Sequence, residues 1–145
     1  MAYQVKKSYL RIITILLGFI SYSIYLFSNI EINTFDLKQF GMYLFLIVPI
    51  LMVFEIVGTI IFDLFNQTDS KKERPKHMDE FDRLIEYKAV RNFMIVFVAG
   101  FFTSTLILWL SANLIVAFIV MFVMIFLSGL MLQVSYIKYY NHGVS

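Results

Sequence analysis

The sequence predicts an all-α integral membrane protein, a four-helix bundle with its N-terminus and C-terminus both cytoplasmic. Three observations predict this. Of the 145 residues, 60% are hydrophobic and the mean hydropathy is +0.78, whereas an ordinary soluble domain is about 45–50% apolar even when glycine is counted. The excess is gathered into four runs, each long enough to cross a hydrocarbon core of ~30 Å. Eleven of the twelve Lys and Arg residues fall on one side of the topology those runs define, and that asymmetry marks the cytoplasmic side. Residues 1–145 are read as a single domain, because four spans and one loop leave no room for a separate soluble unit.

Lys6, Lys7 and Arg11 precede an apolar run from Ile12 to Ile30. The run is about 19 residues long, against 7–15 for a signal-peptide core, and no small-residue cleavage site follows it. It is therefore read as the first span, about 10–30. A short polar connection with Asn33, Thr34, Asp36 and Lys38 leads to the second span, about 40–65, which contains Pro49, Glu55, Gly58 and Asp63. Pro49 removes one backbone donor from that helix, a feature common in membrane helices. Residues 66–90 form the one long polar segment and the expected cytoplasmic loop. The third span covers about 91–110. Ser111, Ala112 and Asn113 make a tight turn, the fourth span covers about 114–137, and Lys138 opens a short tail. Trp109, Tyr43 and Phe40 are expected at the outer interface, and Tyr9, Tyr136, Tyr139 and Tyr140 at the inner one.

Glu55 is the strongest signal for chemistry. An ionisable side chain inside an apolar span is costly and is by default a functional hypothesis. Thr59 and Asp63 follow at four and eight residues, so all three share one helix face leading to the cytoplasmic edge. That is the geometry of a proton or cation path; the competing reading is a neutral carboxyl hydrogen-bonded to a neighbouring helix. Gly100 and Ser104 form a small-xxx-small pair that lets the third helix approach another helix closely. There is no cysteine, hence no thiol nucleophile, disulfide or thiolate metal site. The two histidines, His77 and His142, do not suggest a metal centre, and no phosphate-cradling loop, nucleophile elbow or zinc-helix motif is present. No catalytic residue, metal or cofactor is expected, and the net charge of +2 gives no reason to expect nucleic acid.

The longest charged, helix-patterned stretch is 79–92. Phe81, Leu84, Ile85 and Lys88 fall at i, i+3, i+4 and i+7, one helical face. Asp79, Glu80 and Asp82 come first and Lys88 and Arg91 late, the order a helix dipole favours. Asp79 and Arg83 are four apart and suited to pair. The residues 79–88, with Asp82, Arg83, Leu84, Ile85, Glu86 and Lys88, resemble the D-E-R-D-x-L-I-E-x-K type of segment in a family of small bacterial four-span membrane proteins of unknown function. Phe81 departs from that pattern, which has Arg there. The resemblance implies a four-span topology and a bacterial plasma membrane, and it implies no activity. The expected function is a non-enzymatic interaction or regulatory protein acting through the cytoplasmic segment, with Phe81, Asp82, Arg83, Leu84, Ile85, Glu86 and Lys88 as the docking segment. The alternative is a small proton- or cation-coupled transporter or channel using Glu55, as a homodimer. The partners expected are the lipid bilayer and a membrane or cytoplasmic protein, or a second copy of the chain.

Overall fold

The computed structural model describes residues 3–30, 35–65 and 80–143. Among these it contains four helices and no strand: α1 (Tyr3–Asn29), α2 (Leu37–Phe65), α3 (Glu80–Ser111) and α4 (Leu114–His142). All four are long and apolar enough to cross a membrane. They run alternately up and down, so α1, α2, α3 and α4 all carry one end on the side of the chain termini.

Local chemistry fixes several helix ends. Asp36 accepts from the Gln39 amide at 2.8 Å, satisfying one of the free N–H groups that open α2. Asn113 does the same for α4 through the Val116 amide at 3.1 Å. The reversal between α3 and α4 is made by Ala112 at φ 48, a left-handed conformation unusual for a residue with a Cβ. The α4 helix ends at Gly143, φ 79, whose N–H bonds the Tyr139 carbonyl at 3.1 Å, a common glycine stop.

The helices pack in the order α2, α1, α4, α3, with α3 and α4 forming the most extensive contact and α2 touching α4 only lightly. Lipid tails are as apolar as leucine, so close fit rather than water exclusion holds such helices together. Gly100 and Ser104 are buried on α3. A Cβ at Gly100 would overlap Met124 of α4, and the Ser104 hydroxyl donates to the Ala117 carbonyl at 2.8 Å. On the other side, a Cβ at Gly58 would overlap Thr14 of α1.

The core lies toward the end away from the termini and is mostly aromatic: Tyr22, Leu26, Tyr43, Ile47, Phe118, Phe122 and Phe126. Phe19 stacks on Phe122 with ring centroids 5.2 Å apart and meets Phe126 edge-on at 4.8 Å. The Tyr22 hydroxyl donates to the Tyr43 carbonyl at 2.6 Å, and the Tyr43 hydroxyl to the Asn29 carbonyl at 3.2 Å. Tyr43 is thus an interior residue rather than an interfacial anchor: its ring fills the core, and its polar tip finds a backbone acceptor. Tyr139 also turns inward. Trp109 is 80% exposed near the end of α3. The flanks of all four spans are covered with exposed Ile, Leu, Val, Met and Phe, an apolar surface of the kind a bilayer covers.

Candidate functional site

The α3 helix begins at Glu80, so residues 80–90, placed in the loop by the sequence reading, are a helical extension continuous with the third span. Glu80 and Asp82 lie in its first turn, where a helix dipole favours negative charge. The extension is fixed to α4 by three side-chain hydrogen bonds. The Tyr140 hydroxyl donates to Asp82 Oδ1 at 2.7 Å. The Asn92 amide donates to Ser135 Oγ at 3.0 Å and to the Tyr139 hydroxyl at 2.9 Å. Ile85 and Ala89 are fully buried, one turn apart on the same face. Phe81, Leu84 and Tyr87 are exposed.

The docking segment is therefore split by the packing. Ile85 and Asp82 are engaged within the chain, while Phe81, Leu84, Arg83 and Glu86 face outward and Lys88 is half-buried. Asp79, His77 and the charged residues 69–76 lie outside the described residues. Asn92, Ser135, Tyr139 and Tyr140, which clamp the extension, were not singled out as a unit from sequence. Their spacing gives no hint that they meet, because Asn92 and Tyr139 are far apart in the chain.

Glu55 is not alone. Its Oε1 lies 3.0 Å from Arg11 Nη2 of α1, and Gly58, one turn on, is what lets α1 and α2 come close enough for the pair. The Thr59 hydroxyl donates to the Glu55 backbone carbonyl at 2.8 Å and so is turned away from the carboxylate. Asp63 is half-buried two turns further on. The Thr59 hydroxyl is thus committed to the backbone and does not donate to the Glu55 carboxylate.

The depth of this pair follows from helix geometry. At 1.5 Å per residue, Arg11 lies about 27 Å from the Asn29 end of α1, and Glu55 about 27 Å from the Leu37 end of α2. Gln133 of α4 lines the same cavity as both and lies about 28 Å from Leu114; Arg91, beside the Asn92 clamp, lies about 30 Å from Ser111. Four helices thus place one polar level at the thickness of a hydrocarbon core, ~30 Å, from the opposite end of the bundle. Measured along α2 alone, Glu55 looks deep in a span. Measured across the bundle, it belongs to a polar belt shared by the four helices, and the apolar residues of α2 continue beyond it from Ile56 to Leu64.

Among the described residues, no three of His, Cys, Asp and Glu converge as metal ligands would. Comparison of the chain with protein-family models, with curated proteins and with solved structures gives no match.

Proposed function

We propose that this chain is a non-enzymatic interaction protein of a bacterial plasma membrane, working through the extension of α3 on the cytoplasmic side. The observation that carries this reading is the treatment of residues 80–92. They are held rigidly on α4 by Asp82, Ile85, Ala89 and Asn92, while Phe81, Leu84 and Tyr87 are left outward. By helix geometry Phe81 stands about 16 Å beyond the polar belt, at the terminal end of the bundle. Apolar side chains left exposed on a helix that is hydrogen-bonded in place are a usual mark of a protein contact. The partner is a protein with an apolar surface of its own, in or beside the membrane. The charges of Arg83 and Glu86, flanking the apolar stripe, set its register.

In-membrane cross-linking followed by mild-detergent purification and mass spectrometry tests this. Wild type should capture a second protein that Phe81→Glu/Leu84→Glu does not, with both forms inserted equally well. Equal capture by the two forms counts against the reading. Charge reversal at Asp82 is a poorer test, since it also breaks the bond to Tyr140.

The transport reading of Glu55 has less support. Its carboxylate is neutralised by Arg11, and Thr59 does not extend it. Glu55→Gln in liposomes decides: pH-dependent cation flux present in wild type and lost in the variant would restore that reading.

A further inference from the structure

The bundle is packed unevenly. The α2 helix lies on α1 and α3 lies on α4, but α2 and α3 do not pack closely on each other among the described residues. Between them, over a floor of α1 and α4, is a cavity of about 260 Å³ to which all four helices contribute. Its lining changes with depth. Arg11, Glu55 and Gln133 stand at the polar belt. One turn further toward the bilayer centre the lining becomes Ile15, Leu51 and Gly129, and Phe54, Phe97 and Phe126 close the apolar part.

Two buried polar atoms at the belt have no hydrogen-bond partner among the described residues: Arg11 Nε and Gln133 Oε1. Gln133 is only 4% exposed. Buried polar atoms are paired in the great majority of cases, so this donor and this acceptor, carried by two side chains that line the cavity, point to an occupant. The occupant must accept from an N–H and donate to a carbonyl. A hydroxyl does both, and still does both if the Gln133 amide is turned over to present its NH₂. The ion pair between Arg11 and Glu55 leaves the mouth without net charge, so an anionic head would gain little from Arg11 while facing Glu55. A helix from a second copy would fill the apolar part but leave both polar atoms unpaired.

We propose that the cavity binds an uncharged, hydroxyl-bearing single-chain amphiphile of the monoacylglycerol class, drawn from the bilayer. Its head hydroxyl sits between Arg11 and Gln133, the first part of its acyl chain runs inward past Leu51, Phe54 and Phe97, and the rest of the chain lies in the bilayer. The site matches the way such a molecule already stands in a membrane, with its head at the belt and its chain toward the centre. This inference does not depend on the docking role of α3.

The test uses the full chain in detergent micelles with 1-oleoylglycerol as probe, and oleate and dioleoylphosphatidylglycerol as anionic comparisons. Native mass spectrometry reads stoichiometry, and thermal unfolding reads stabilisation. One 1-oleoylglycerol should be retained per chain and raise Tm, at least tenfold more tightly than either anionic lipid. Gln133→Leu, which removes the unpaired carbonyl, should weaken retention at least tenfold without lowering the Tm of the lipid-free protein. Gly129→Leu, which grows a side chain into the cavity, should also abolish retention. Retention unchanged in Gln133→Leu overturns the proposal, as does no retention by wild type. Equal or tighter retention of the anionic lipids overturns the assignment of the head. Because the chain has no cysteine, Phe54→Cys alone reports on a second copy: a disulfide-linked dimer formed through Phe54→Cys in the membrane would place a protein there instead.

Discussion

Gly58 and Gly100 matter for the atoms they lack. At Gly100 the obstacle to a larger residue is the Met124 Cβ, which is fixed to the α4 backbone and cannot swing aside. Gly100→Ala must therefore push α3 off α4, and it should cost about 1–3 kcal/mol, the usual range for overpacking. At Gly58 the obstacle is the Thr14 Cγ2, which can turn at the expense of the Thr14 hydroxyl bond to the Arg11 carbonyl (2.9 Å). Gly58→Ala should cost less than Gly100→Ala. Unfolding in mixed micelles with a denaturing detergent gives both values, and the reverse order would mean that the two contacts are misassigned. Glu55 and Arg11 call for a cycle of variants. Their side chains are 58% and 32% exposed, and pairs of that kind contribute only about 0.2–1 kcal/mol in water. At a membrane edge the cost comes mainly from leaving one charge without the other. Glu55→Leu alone should therefore destabilise more than Arg11→Leu/Glu55→Leu together, and a double variant worse than the single would remove the pair's importance.

At the scale of the element, the α3 extension shows where sequence pattern stops. The run of Phe81, Leu84, Ile85 and Lys88 marks a helix, and a helix it is. The same pattern does not say which of those side chains turns toward α4, because Ile85 and Leu84 are equally apolar and one position apart. The answer comes from Ala89, whose small side chain one turn beyond Ile85 lets the two helices close, and from Asn92, Ser135 and Tyr139, which lock the rotation. In the spans the difficulty is greater. Lipid-facing and protein-facing positions are both apolar, so Tyr22 and Phe118 in the core cannot be told by hydropathy from Phe27 and Phe45 on the surface. Gly100 and Ser104 stand out in the sequence because close approach needs small residues, whatever the surroundings. The extension also yields a local prediction. Tyr140→Phe removes the hydroxyl that Asp82 accepts from, and only that. Amide hydrogen exchange should then quicken at residues 84–86, whose N–H groups bond the carbonyls of the first turn, while Ala89 stays protected by burial. Uniform exchange along 80–92 in wild type would mean the extension is not clamped.

For the whole molecule, the number of helices and their approximate limits were open to reading because bilayer thickness imposes a length on every apolar run. The depth of the polar belt was not, since it emerges only when Arg11 of α1, Glu55 of α2, Asn92 of α3 and Gln133 of α4 are brought to one level. The belt sets a level across the bundle and not a direction; the direction is an expectation from the Lys/Arg asymmetry. Lys6, Lys7, Lys88 and Lys138 all lie on the terminal side of the belt, and among the described lysines only Lys38 is at the far end. The bias of Lys and Arg toward the terminal end predicts its cytoplasmic placement. The absence of native cysteine makes the test direct. Single variants Phe81→Cys, Ser111→Cys and His142→Cys sit at exposed positions at opposite ends of the bundle. A membrane-impermeant maleimide added to intact cells should label Ser111→Cys alone, and it should reach Phe81→Cys and His142→Cys only after permeabilisation. The inverse pattern would put the α3 extension outside the cell, remove any cytoplasmic partner, and turn the mouth of the cavity toward the outer leaflet. Labelling of all three in intact cells would mean that the helices do not hold one orientation.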